Sequence, residues 1–252
     1  MQFETTDILG VPVAAVTGEQ ILAQCDAAVS ENAQRIFAYA NAHGLNLARH
    51  DPALNSVLQR ANIVYPDGRG VVFAAAVLGK RLPATTALTR WIWNLAEHCE
   101  RKSYRMFLLG GTESASSAAA AKLGARFPKL VLDRHHGYFS TGDTAELVKR
   151  INEFRPQILL VGLGMPKQEL WIDQNRRALS ANVFFPAGAA IDFAGGVRIP
   201  CPEWISRIGF EWLFRLVQEP RRLFGRYIFG NVAFVAAVLR QRVGSRRLPV
   251  KV

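Results

Sequence analysis

A chain of 252 residues, half of them hydrophobic, is long enough for one large α/β domain with a buried core, and this composition argues against disorder. Cys25, Cys99 and Cys201 lie far apart with no CxxC or other metal-ligand spacing, which counts against a zinc site or a disulfide framework and fits a reducing cytosol. The net charge of +11 is uneven: from Arg198 to the end eleven Lys/Arg face three acids, leaving +8 in the tail and +3 in residues 1–197.

In chain order, the opening MQFETTDILG has neither a charged n-region nor a long apolar stretch, so neither a signal peptide nor an N-terminal span is expected. Apolar β-prone runs then alternate with helical stretches, the pattern of βα units around a largely parallel sheet. Strands are expected at Arg35–Tyr39, Asn62–Tyr65, Tyr104–Leu109, Leu130–Asp133, Ile158–Gly162 and Val183–Pro186. Helices fit His43–Arg60, Gly70–Leu78, Thr89–Arg101, Ser114–Arg126, Thr144–Phe154 and Pro166–Leu179. Several strands hand over to loops rich in Gly, Asp or Asn: YANAHG, YPDGRG, LLGGTES and VGLGMPKQE. In an open α/β sheet such loops surround the ligand crevice, and small residues there let backbone amides approach phosphates. Gly162-Leu163-Gly164 lacks a third glycine at the dinucleotide spacing, so a nicotinamide-dependent dehydrogenase is poorly supported.

Past Gly195-Gly196 the composition changes, and Pro200 and Pro202 bracket a linker. This divides the chain into a Rossmann-like domain, 1–197, and a basic appendage, 198–252. Trp204, Ile208, Trp212 and Leu216 recur at i+4, with Arg207, Glu211 and Arg215 on a separate charged face, so this helix is amphipathic. Pro220 breaks it, and Tyr227–Leu239 follows as an apolar run of thirteen residues. As a helix that run spans only ~20 Å against a hydrocarbon core of ~30 Å, too short to cross a bilayer alone. Its apolar surface suits membrane contact or a homo-oligomer, and the sequence leaves oligomeric state open. Arginines interleaved with Trp204, Trp212, Phe214 and Phe229 suit an anionic headgroup interface, and equally the base stacking of a nucleic-acid-binding protein.

Asp67, in YPDGRG just after an expected strand, could remove a proton from a hydroxyl nucleophile; an Asp-Gly turn bonding its own backbone is the plainer reading. No Asp-x-Asp pair occurs, so a divalent ion held by paired carboxylates is not indicated, and a diphosphate would fall to Arg, Lys or helix N-termini. His135 and His136 have no third ligand in view and read as surface or supporting residues rather than metal ligands.

Taken together these motifs resemble the WecG/TagA/CpsF family of bacterial glycosyltransferases from Ile8 to Tyr227. The resemblance runs through PDGxG at Pro66–Gly70, LLGG at Leu108–Gly111, HGYFS at His136–Ser140, VGLGMPKQE at Val161–Glu169, GAAIDFAGG at Gly188–Gly196 and GFEWLFRLVQEPRRL at Gly209–Leu223. It implies a Rossmann-like α/β fold with a membrane-targeting helical appendage. The implied activity is inverting, metal-independent transfer of a sugar from a UDP-sugar to an undecaprenyl-diphosphate-linked saccharide, in cell-surface or exopolysaccharide synthesis. The resemblance further implies that no cofactor, metal or nucleic acid takes part and that the enzyme sits peripherally on the cytoplasmic face of the plasma membrane. Under this resemblance Asp67 is the base. Asn41 contacts a sugar, while Gly110, Gly111, Tyr138, Gly162, Gly164, Gln168 and Asp192 form the UDP side. Arg215, Arg222 and Arg226 stabilise the diphosphate. The chain departs from the family pattern at Tyr39, where many members carry Thr, across Thr85–Arg90, and at Gly225 in place of an arginine. The donated sugar and the acceptor saccharide are not specified.

Overall fold

The structure, a computed structural model, describes residues 3–83, 86–202, 205 and 210–245, except the side chains at 222, 226, 227 and 245. Thr85, Trp204, Arg207, Ile208 and the side chains of Arg222 and Arg226 therefore lie outside the described residues. The chain opens on an antiparallel hairpin, β1 (Thr5–Ile8) and β2 (Val11–Ala14), which the sequence pattern did not predict. Its two-residue turn places Leu9 and Gly10 at φ +56° and +85°, the mirror-image turn geometry that matches strand twist. Helix α1 (Gly18–Ser30), likewise unpredicted, starts at a capping box in which Thr17 and Gln20 satisfy each other's backbone amides.

Then come β3 (Arg35–Ala40), α2 (Ala42–Ala48), α3 (Pro52–Arg60), β4 (Ile63–Pro66), α4 (Arg69–Val77), α5 (Leu88–Lys102), β5 (Met106–Gly110), α6 (Glu113–Arg126) and β6 (Leu132–His135). After these follow α7 (Thr144–Phe154), β7 (Ile158–Gly162), α8 (Lys167–Asn175), β8 (Val183–Pro186) and α9 (Ala190–Gly195). The helix expected over His43–Arg60 is two helices, because Asp51 caps a new start with Pro52 in its first turn.

Six strands form one sheet in the order β4-β3-β8-β7-β5-β6, every neighbouring pair parallel, giving the expected Rossmann-like α/β fold. Strands β4, β5 and β8 are buried at every position, since helices cover both faces, and so they read as continuous apolar runs. Alternate residues feed two cores: Phe107, Leu109, Leu159 and Val161 on one face, Met106, Leu108, Ile158 and Leu160 on the other.

In the tail, α10 (Glu211–Gln218) is followed by α11 (Pro220–Ser245), a single helix of 26 residues. Pro220 does separate the two, standing at the first position of α11, where its missing N–H costs nothing. The apolar run is embedded in a longer stretch, Leu223–Gly244, whose 22 residues are long and apolar enough to cross a bilayer by length and composition. One face of α11 is covered by protein. Leu223, Phe234, Ala237 and Val238 are buried, and the helix packs on α2 and α4. Asn46 Nδ2 donates to the Gly230 carbonyl at 2.7 Å, and Gln241 Nε2 donates to the Asp7 carbonyl at 2.9 Å, tying the helix to the N-terminal hairpin. The opposite face exposes Phe224, Phe229, Val232, Leu239 and Val243.

Candidate functional site

All six parallel strands end at one cleft of about 1450 Å³. Asn41 follows β3, Asp67 follows β4, Gly111 follows β5, Tyr138 follows β6, Gly162 and Gly164 close β7, and Gly188 follows β8; each lines the cleft. This is the position where open α/β sheets bind ligands, because strand ends converge there and helix N-termini point inward. Gly110 lies just outside it. A Cβ on Gly110 would stand 2.5 Å from the Gly162 carbonyl oxygen, so its smallness lets β5 and β7 hand over to their loops side by side.

Asn41 and Asp67 meet across the neighbouring ends of β3 and β4. Asn41 Oδ1 accepts the Gly44 amide at 2.9 Å as the cap of α2, which turns its Nδ2 toward Asp67 Oδ2 at 3.4 Å. The Asp67 amide donates to the Ala40 carbonyl at 2.8 Å, and Gly68 at φ +90° turns the chain into α4. The carboxylate is thereby held at a strand-to-helix turn facing the cleft, with an amide N–H directed at it.

Beneath this pair lies a buried polar group. Gln168 is fully buried and lies outside the cleft lining, so the structure places it under the floor rather than on it. Its Nε2 donates to the Tyr39 hydroxyl at 3.1 Å and to Glu169 Oε1 at 2.8 Å, and its Oε1 accepts the Gly188 amide at 2.9 Å. Every polar group of the amide except spare lone-pair capacity is used within the protein. Burial pushes the Glu169 carboxyl up to about 7, against the hydrogen bonds from Gln168 and its own backbone.

The tail side of the cleft is charged. Arg198 bridges Asp192 Oδ2 at 3.1 Å and Glu219 Oε1 at 2.6 Å, linking α9 to the turn between α10 and α11. Arg215 pairs with Glu211 at 2.7 Å and lies 5.3 Å above the centre of the Phe193 ring. Arg198, Arg215, Asp192 and Glu219 all line the cleft.

Comparison with known proteins accounts for a cleft of this kind. The sequence profile of the glycosyl transferase WecG/TagA/CpsF family matches residues 6–248. The chain belongs to this family. Relatives from Staphylococcus aureus strains MW2, MRSA252 and N315, each called N-acetylglucosaminyldiphosphoundecaprenol N-acetyl-beta-D-mannosaminyltransferase, are 28% identical over 227 residues, covering 86% of this chain and 86% of the relative.

In this glycosyltransferase the structure brings Asn41, Asp67, Gly111, Tyr138, Gly162, Gly164, Asp192 and Arg215 to one cleft, with Gly110 and Gln168 supporting it from behind. Arg222 and Arg226 belong to α11, and their side chains are outside the described residues. His43, Lys167 and Arg198 also line the cleft and were not singled out from sequence. Lys167 stands in the same PKQE run as Gln168, at the first turn of α8, so that run supplied a signal for it. Arg198 had none, since its partners Asp192 and Glu219 come together only in the fold.

Proposed function

We propose that the protein is an inverting glycosyltransferase that moves an N-acetylhexosamine from a UDP-sugar to a saccharide on an undecaprenyl diphosphate carrier. The placement of Asp67 beside Asn41 at the open strand ends, in a chain of this family, carries the reading. Ionised Asp67 takes the proton of the acceptor hydroxyl as that oxygen attacks the anomeric carbon from the face opposite UDP. Asn41, with its oxygen committed to capping α2, presents N–H to the carboxylate and to a sugar oxygen beside it. Negative charge then grows on the departing diphosphate. Arg215 and Arg198, joined by Arg222 and Arg226 from α11, meet that charge, and Gly111, Tyr138, Gly162, Gly164 and Asp192 hold the nucleotide side. Gln168 serves the UDP site from beneath.

In this reading cations of the chain, rather than a divalent ion, neutralise the diphosphate. Turnover that persists in excess chelator is the corresponding expectation. Residues 198–252 act as the membrane-associating segment, peripheral on the cytoplasmic face, with the exposed apolar side of α11 and Arg221 and Arg240 toward anionic headgroups. The names of the relatives give the first pair to assay: an N-acetylmannosamine donor and an N-acetylglucosaminyl-diphosphate lipid acceptor.

Asp67→Asn removes the base and keeps the shape. It should reduce transfer by at least ~10²-fold while leaving UDP binding and folding intact. Near-normal turnover of Asp67→Asn on a substrate pair used by the wild type would sink the assignment.

A further inference from the structure

Glu169 is a buried carboxyl that the transfer chemistry above leaves unused, and such a group is costly to keep in a core. It is 1% exposed, and its Oε2 makes no hydrogen bond among the described residues. Its Oε1 holds one N–H of Gln168, while the Gly188 amide holds the Gln168 oxygen from another side. Turning that amide over would set its NH₂ against the Gly188 N–H and take its donor away from the Glu169 oxygen, losing two attractive contacts. The carboxyl oxygen and the Gly188 amide together fix which way the amide faces. With the amide so fixed, the Tyr39 oxygen receives an N–H from Gln168, and the single proton of its hydroxyl is directed away from that amide. Tyr39 lines the cleft, one residue short of the end of β3 and two before Asn41.

We propose that Glu169 is a positioning residue for sugar transfer, acting through Gln168 to set the direction in which the Tyr39 hydroxyl donates toward an oxygen of the bound sugar or diphosphate. The proposal rests on the sugar-transfer reading of this cleft. Tyr65, paired with Tyr39 in the sheet, is an ionisable side chain that also senses Glu169. Its buried hydroxyl is likewise held from ionising, first by burial and then by Asp67, with Glu169 among the further contributors. After burial, the Gln168 bond acts most strongly on the carboxyl, followed by its own backbone amide.

The test uses the full chain with a donor and acceptor on which the wild type turns over. Glu169→Leu deletes the acceptor and should lower kcat by about tenfold to a hundredfold with KM within about twofold, the scale of a misplaced contact. Glu169→Gln keeps a carbonyl for the Gln168 N–H and should restore most of that loss. Tyr39→Phe should fall in the same range as Glu169→Leu, and the double variant should be no worse than the poorer single one, since both act through one hydroxyl. Multiplicative losses in the double variant, or Glu169→Gln as impaired as Glu169→Leu, would overturn the proposal.

An arm independent of turnover follows the side-chain amide of Gln168 by NMR. Its protons should exchange with solvent more slowly in wild type and Glu169→Gln than in Glu169→Leu, where one of them loses its acceptor; equal protection in all three counts against the proposal. Failure of the base assignment shows up separately, as an active Asp67→Asn, and leaves the Gln168 measurement standing.

Discussion

Replacing Glu169 by Gln should stabilise the protein at alkaline pH and lose that advantage in acid. The carboxyl loses its proton near pH 4.5 in the unfolded chain and at about 7 in the fold, because burial disfavours its charged form. Between those values the folded state binds more protons than the unfolded state, so stability falls as pH rises through this window. Every tenfold gain in proton affinity on folding is worth ~1.4 kcal/mol, so the wild type should be about 3 kcal/mol less stable near pH 8 than near pH 4.5 from this group alone. Glutamine carries no such titration while filling almost the same volume. Urea denaturation of both proteins at the two pH values isolates the effect as a difference of differences, which cancels every other titrating group and any fixed packing offset. A gap between the variants that is the same at both pH values would refute the reasoning. A buried carboxyl of that cost beside the cleft is the pattern expected where a site trades stability for geometry.

Gly110→Ala should destabilise the fold by about 3 kcal/mol or prevent folding, because its Cβ would meet backbone of Gly162 at 2.5 Å, where neither strand can yield; a loss under ~0.5 kcal/mol in urea denaturation would contradict this. Arg198→Gln should weaken UDP binding by roughly tenfold in calorimetry, the scale of a hydrogen bond to a charged group, and should leave Asp192 and Glu219 facing the cleft without the cation between them. Binding unchanged in that variant would remove Arg198 from the diphosphate side. Phe229→Asp combined with Val232→Asp, both on the exposed side of α11, should abolish sedimentation with anionic vesicles while preserving thermal stability. Undiminished sedimentation would move the membrane contact elsewhere.

Much of this site was legible because its residues sit at strand ends, where alternation of apolar runs with Gly, Asp and Asn marks the handover. Strands β7 and β8 and helix α7 run between the residues expected, and Asn41 and Asp67 emerge together because β3 and β4 are neighbours. The hairpin escaped because its turn is Leu9-Gly10, without the Asn-Gly or Asp-Gly pair that announces such turns. The depth of Gln168 and Glu169 was also hidden. Polar residues in the first turn of a helix ordinarily face water, and only the packing of α8 against β7, β8 and α3 turns them inward. The pairing of Arg198 with Asp192 and Glu219 depends on how the tail returns to the body, which no local pattern encodes.

Helix α11 has consequences of its own. Its inner face touches α2, whose cap is Asn41, and α4, which begins two residues after Asp67; a Cβ added at Gly70 would stand 3.9 Å from the Phe234 ring. Its outer face is the apolar side assigned to the bilayer. On that arrangement a single helix, ~10 Å across, is all that would separate the lipid surface from the helices that start beside Asn41 and Asp67. Under the proposed function the segment would work as a spacer of fixed thickness, setting the height of Asp67 above the headgroups. A sugar held on a lipid diphosphate would then come within reach only at its first positions, so the geometry of the tail would select acceptors by how far they stand out from the membrane.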